Sequence, residues 1–297
     1  MNIVTSKEHE GRMYQIQKGI QFNNCKTIEV QENKLGILNL LKKCHDSEYI
    51  SLLHTKSKQL SENETFIDKE YAEPGVTPDT PIVKNIYQTA CSSFHTAVQA
   101  AKYLDFNTNS CSYAVCRPPG HHAGPSWMGG YCYFNNAVGA VLTLKEKGFN
   151  RVGLIDLDFH FGNGSAAILK DLSDIFFGSI HGCTLENFPY KETYPEGEHQ
   201  VFIPFKKQPT EEEYISSLTG LLKRAKNFGC KALVISVGYD LIEGDPHGKW
   251  SFSPEIFNKI GSCLSKVQMS LCLVQEGGYH SENLGICASN LIKGITE

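Results

Sequence analysis

Three runs in this chain are apolar almost from end to end: Val152-Gly-Leu-Ile155, Ala232-Leu-Val-Ile-Ser-Val237 and Ser270-Leu-Cys-Leu-Val-Gln275. A strand with one wet face alternates polar and apolar residues, and these do not. They read as strands covered on both faces. Between them the period changes to that of helices, over Ala137–Lys147, Glu211 to about Asn227, and Pro254–Val267. Strands that alternate with helices in this way imply an α/β protein with a central, mainly parallel sheet flanked by helices. Further strands are expected at Ser112–Cys116, Ile175–Ile180 and Gln200–Phe205. Further helices are expected over 35–43, from a cap at Asp46 or Ser47, from Ile82 to about Leu104, and over Ala166–Leu172. Residues 55–81, polar and then proline-rich, read as a long surface loop, and residues 1–35 give only a weak pattern. No linker, repeat or low-complexity segment divides residues 1–297, so a single domain is expected.

Composition excludes several classes. The formal net charge is −4 and there is no long basic run, which argues against direct nucleic-acid binding. The 11 cysteines are odd in number and scattered, with no C-x-x-C pair, as in a reducing compartment rather than a disulfide framework. The N-terminus lacks a charged segment leading into an apolar one, and no apolar stretch is long enough to span a bilayer. The expectation is a cytoplasmic protein without a membrane partner, its oligomeric state open and a homodimer admissible.

In open parallel sheets, ligands bind beyond the carboxyl ends of the strands. In this chain each polar cluster follows a strand directly. His121-His122 comes after the first, Asp156-Leu-Asp-Phe-His160 after the second, Asp240 after the third, and Gly277-Gly-Tyr279 after the last. Side chains alternate along a strand, so Asp156, Asp158 and His160 are expected on one side. Taken singly, each cluster has an ordinary reading: a surface histidine pair, a capping aspartate, a packed tyrosine, a turn asparagine at Asn163. Taken together at one sheet edge, they describe a reaction centre. Two carboxylates and an imidazole, Asp158, Asp240 and His160, suit zinc with an open position for water. A histidine pair supplies an acid and a base, and a tyrosine hydroxyl can meet a developing oxyanion.

Five segments carry a resemblance: Arg117-Pro-Pro-Gly-His-His-Ala123, Gly130-Tyr-Cys-Tyr-Phe-Asn-Asn136, Asp156 to Gly164, Ser236-Val-Gly-Tyr-Asp240 and Glu276-Gly-Gly-Tyr279. Together they resemble the zinc-dependent histone deacetylase and acetylpolyamine amidohydrolase family, from about residue 70 to the end. The match is looser before that, chiefly through His45-Asp-Ser-Glu-Tyr49. The resemblance implies an arginase-like three-layer fold and a deacetylase-like catalytic domain that hydrolyses N-acetylated or N-acylated amines. It implies one zinc per chain on Asp158, His160 and Asp240, and a structural potassium ion using Asp156, Asp158, His160 and Ser179. It makes His122 the general base, His121 its electrostatic or acidic partner, and Tyr279 the donor to the carbonyl oxygen. Asp156 would hold His121 and Asn163 would hold His122. Gly130 and Tyr131, with Phe188 or Tyr190, would wall an aromatic tunnel with His247 at its mouth.

Phe161 stands where a histidine is often found, on a side expected to serve packing. The segments Ser179–Tyr190, Gly244–Phe252 and Gln275–Tyr279 look more like the amidohydrolase branch than the nuclear deacetylases. Glu73 and Asp79 either recognise a substrate backbone or ammonium, or are solvated loop acids. The substrate is acetyl-lysine in proteins, an acetylpolyamine or another N-acyl amine. Two other classes stay open: a manganese ureohydrolase on the same fold, which would need more carboxylates at the metal, and a catalytically silent interaction protein.

Overall fold

A computed structural model describes all residues except 6–10, 22–24, 30–33, 74, 106–107 and 192–198. Among these residues the chain runs β1 (Asn2–Thr5), α1 (Arg12–Gln21), β2 (Lys26–Glu29), α2 (Lys34–Cys44), α3 (Ser47–Gln59), β3 (Thr65–Phe66), β4 (Ile82–Val83), α4 (Ile86–Lys102) and β5 (Cys111–Val115). It continues with α5 (Asn136–Glu146), β6 (Val152–Asp156), α6 (Asn163–Leu169), β7 (Ile175–Gly182), β8 (Gln200–Phe205), α7 (Glu211–Phe228), β9 (Ala232–Val237), α8 (Ile256–Ser265), β10 (Ser270–Gln275) and α9 (Leu284–Thr296).

Eight strands form one sheet in the order β2-β1-β5-β10-β9-β6-β7-β8, and each neighbouring pair is parallel. The period of two along a strand divides the core. Leu233, Ile235 and Val237 of β9 pack with α1, α7, α8 and α9, whereas Ala232 and Val234 pack with α2 to α6. Both faces are therefore dry, and this is why β6, β9 and β10 are buried throughout and read as unbroken apolar runs. The expected three-layer architecture is present.

Local chemistry sets the helix ends. Thr210 accepts from the Glu213 amide while the Glu213 carboxylate accepts from the Thr210 amide, a reciprocal cap at the start of α7. Gly229, at φ 94°, ends that helix in the left-handed region. Asn135 caps α5 through Val138 N at 3.0 Å.

Three expectations are corrected. The first 35 residues contain two strands at the sheet edge and the helix α1. The pattern of β2 is weak because it is a largely exposed edge strand. Residues 55–81 are not one loop: α3 runs to Gln59, Thr65–Phe66 pairs with Ile82–Val83, and Ala72 bridges to Met128. The helix expected from Ala166 starts three residues earlier, so Asn163 is its first residue rather than part of a free turn.

Candidate active site

The strand order places β5, β10, β9 and β6 side by side, so the segments that follow them meet at one carboxyl edge. Strand β6 ends at Asp156, which corrects the picture of one strand delivering three side chains. Asp158 and His160 lie in the turn beyond it, aimed by hydrogen bonds rather than by pleat. Asp158 N donates to Asp156 Oδ1 at 3.1 Å and His160 N to Asp158 Oδ1 at 2.9 Å.

Asp158, His160 and Asp240 each offer a ligand atom, and these atoms lie within 4.8 Å of one another. His160 Nδ1 is 3.2 Å from Asp158 Oδ1 and 3.0 Å from Asp240 Oδ2. Both carboxylates are fully buried. Gly277 N donates to Asp158 Oδ2 at 2.8 Å and Phe159 N to Asp240 Oδ1 at 3.1 Å. Burial and the neighbouring Asp158 push the Asp240 carboxyl up to about 7. Burial opposes the charge on His160, but its bonds to the two carboxylates raise it to about 9. Two dry carboxylates facing one imidazole are costly without a cation between them. The donor set therefore fits a divalent metal, with chemistry that suits zinc. A second grouping, His121, Cys132 and Glu276, also falls within 4.8 Å. Its His121 and Glu276 are engaged elsewhere, as follows.

The 117–124 loop is held along its length by side chains from other segments. Asn136 Nδ2 donates to Pro118 O at 3.0 Å and Asn135 Nδ2 to Ala123 O at 3.0 Å. Glu276 Oε2 accepts from Gly120 N at 2.6 Å and His121 N at 3.1 Å. His45 Nδ1 donates to Gly124 O at 2.7 Å, and its Nε2 accepts from Asn135 N at 2.9 Å. The loop carries His121 against Asp156, Nδ1 to Oδ2 3.0 Å, and His122 against Asn163, Nδ1 to Oδ1 2.6 Å. Burial works against a charge on His121, yet Asp158 and Asp156 outweigh it and raise the imidazole to about 10. His122 is held well below its ordinary value by burial first, then by the charges on His121 and His160.

A cavity of about 470 Å³ opens above this floor. His122, His160 and Tyr279 line its base, and all five expected tunnel residues, Gly130, Tyr131, Phe188, Tyr190 and His247, line its walls. Gly130 is at φ 53°, and a Cβ there would strike the His122 ring, so this position needs glycine. His247 is exposed at the rim, its ring 4.5 Å from that of Tyr279 and 5.8 Å from that of Tyr131. His160, His122 and Tyr279 thus face one aromatic-walled pocket, with Asp158 and Asp240 bonded to His160 and His121 packed on His122 behind them.

A family model described as the histone deacetylase domain matches residues 6–295. The chain belongs to the histone deacetylase family. An acetylpolyamine amidohydrolase of Mycoplana ramosa is 32% identical over 231 residues, 75% of this chain and 66% of that protein. Histone deacetylase 8 of Xenopus tropicalis is 30% identical over 273 residues, 88% of this chain and 71% of that one. Among solved structures, an acetylpolyamine aminohydrolase from Burkholderia pseudomallei superposes with a TM-score of 0.85 at 25% identity, covering 95% of this chain and 89% of that chain. The chain matches just under two thirds of the length of the first curated relatives.

Relative to the family pattern, Phe161 is buried and packs on Phe202 and His181, as expected of a packing position. Ser179 lies beside Asp156 in the β6–β7 register, and its hydroxyl is bonded to His181 Nδ1 at 2.8 Å. Asp79 accepts from Gly130 N at 2.9 Å and Thr80 Oγ1 at 2.8 Å, so it braces the tunnel wall. Glu73 is not a solvated acid: it is 5% exposed, inside the molecule.

Sequence reasoning missed four contributors. Glu276 anchors the histidine loop through the amides of Gly120 and His121. Asp245 accepts from Tyr279 N at 2.6 Å and His247 N at 2.9 Å, joining rim to base. Arg12 donates to Glu276 O at 2.9 Å and lies 4.3 Å over the Tyr279 ring. His45 was noted without a role. Apart from His247, close to Asp245 in the chain, their partners are far away in sequence, so no local pattern could pair them.

Proposed function

We propose that this protein is a zinc-dependent deacylase. It hydrolyses the amide bond of an N-acetylated or N-acylated amine and works as a single catalytic domain over residues 1–297. The observation that carries this reading is that His160, His122 and Tyr279 line the base of one aromatic cavity, with Asp158 and Asp240 clustered on His160 and His121 packed on His122. Asp158, His160 and Asp240 would hold the zinc, which when bound supplies Lewis-acid polarisation and a water acidic enough to ionise near neutrality.

The remaining chemistry belongs to the chain. His122 is neutral, so it accepts the proton released as water attacks the carbonyl. Its Nδ1 is tied to Asn163, which leaves Nε2 to take that proton and then deliver it to the departing amine. His121, kept charged by Asp156 and Asp158, contributes positive potential beside the developing oxyanion. Burial keeps the Tyr279 hydroxyl protonated, and it donates to the carbonyl oxygen. Tyr131 and Phe188 exclude water and guide an aliphatic chain.

The relatives' names point to acetylpolyamines and to acetylated histones as substrates. All eleven cysteines are free, which supports a reducing compartment such as the cytoplasm. No described helix is long and apolar enough to cross a membrane. A panel of acetyl-lysine peptides and N-acetylated polyamines, run with and without chelator, tests the reading. Turnover that stops with chelator and returns with zinc is expected. Chelator-insensitive turnover, or a metal content near two per chain with activity on guanidino compounds, would replace it. Tyr279→Phe should retain the metal and lose about a hundredfold in kcat.

A further inference from the structure

Glu73 lies on the segment after β3, far in sequence from every motif of the site, and it is buried against one of them. Its Oε2 accepts from Asn163 Nδ2 at 2.5 Å, and its Oε1 pairs with Lys191 Nζ at 2.8 Å. Asn163 in turn presents Oδ1 to His122 Nδ1 at 2.6 Å. The four groups form a chain: Lys191, Glu73, Asn163, His122.

The chemistry of the middle link makes the outer one matter. An asparagine amide can turn either its oxygen or its NH2 toward a neighbour, and a neutral histidine can carry its proton on either nitrogen. A bond between Asn163 and His122 alone therefore does not specify where the proton sits. A carboxylate only accepts. With Glu73 behind it, the amide must turn its NH2 toward Glu73 and its oxygen toward His122. Nδ1 must then carry the proton, and Nε2 keeps a free lone pair on the nitrogen that has to accept one.

We propose that Glu73 is a positioning residue that sets the tautomer of His122 through Asn163, with Lys191 fastening Glu73 in place. An aspartate at position 163 would impose the same tautomer directly. Here the carboxylate stands one residue further out, on a different segment of the chain. The proposal rests on the reading of His122 as the base, but the tautomer can be observed without turnover.

The test uses the metal-loaded protein with Glu73→Ala, Glu73→Gln and a double variant that combines Asn163→Asp with Glu73→Gln. Long-range 1H–15N NMR of the histidines reports which His122 nitrogen is protonated. Steady-state kinetics use the best substrate of the panel. In the wild type the Nδ1-protonated tautomer is expected. In Glu73→Ala a mixture of tautomers should appear, with kcat at least about tenfold lower and KM changed less than about twofold. Glutamine can donate as well as accept, so Glu73→Gln should fall between. The double variant should regain the single tautomer and come within about threefold of wild-type kcat, a non-additive pair. This follows because the introduced aspartate accepts from His122 while the introduced glutamine donates to that aspartate.

An unchanged tautomer in Glu73→Ala would overturn the proposal and leave Glu73 as a loop anchor. Should Glu73→Ala fail to fold, the two glutamine variants decide: recovery in the double variant upholds the proposal, and equal loss in both overturns it. A changed tautomer with unchanged kcat would uphold the action of Glu73 and remove His122 from its role as base.

Discussion

His121 and His122 are consecutive, both buried, with ring centroids 3.9 Å apart, yet they occupy opposite electrostatic settings. His121 is raised to about 10 despite its burial, by the charge of Asp158 and by Asp156, to which it is hydrogen-bonded. His122 meets an amide, and burial together with its charged neighbours holds it neutral. Burial is common to both, so it does not separate them. The separation comes from the charges around each ring: Asp158 and Asp156 on His121, against the positive charges of His121 and His160 and the uncharged amide of Asn163 on His122. Two titratable groups with their values pushed apart can act as a fixed charge and a mobile base at one pH.

The most severe way to break this contrast is to delete each ring in turn. His122→Ala should lower kcat about a thousandfold and His121→Ala about a hundredfold, with metal content unchanged in both. Equal losses would mean that the two share one role.

A milder test makes the settings alike. Asp156→Asn replaces the carboxylate on His121 with an amide. The His121 titration should move down from about 10, because a stabilising charge is gone. His122, relieved of part of a neighbouring positive charge, should move up. Activity should fall about tenfold. Imidazole NMR titrations of the two proteins check both directions, and an unmoved His121 would place its charge in the hands of Asp158 alone.

The smallest effect concerns stability and a third buried histidine. His45 is also held neutral, pushed down to about 4 by burial, with both ring nitrogens engaged by backbone groups. The unfolded chain takes up a proton near pH 6.5, whereas the folded chain resists until about pH 4. Its contribution is thus fully present above about pH 6.5 and is lost as pH falls toward 4, about 3 kcal/mol at most. His45→Gln, which can donate and accept but does not titrate, should show a urea midpoint less dependent on pH across that window. A parallel decline in both proteins would place the acid sensitivity elsewhere.

The regions also differ in how far they could be read from the chain. Strands β6, β9 and β10 were legible because both faces of the sheet are dry, which forces continuous apolar runs. The candidate site groups were legible because each follows a strand within a few residues, where a parallel sheet presents its ligands. β2 was not, since a short edge strand with an exposed pattern carries little periodicity, and β1 beside it is only four residues long. Nor was Glu73, whose local setting of glutamates, prolines and glycine is that of a solvated loop.

By itself, then, the amino-acid order determined the layered parallel fold, the family, and which polar side chains gather at the carboxyl edge of the sheet. Periodicity and strand ends are properties of short stretches, and the motifs are contiguous. Only the tertiary structure decided what stands behind those side chains. Glu276 under the histidine loop, Asp245 under Tyr279, and Glu73 behind Asn163 all act across long sequence separations. Charge and tautomer depend on the nearest atoms in space, and those are chosen by the packing of the whole sheet.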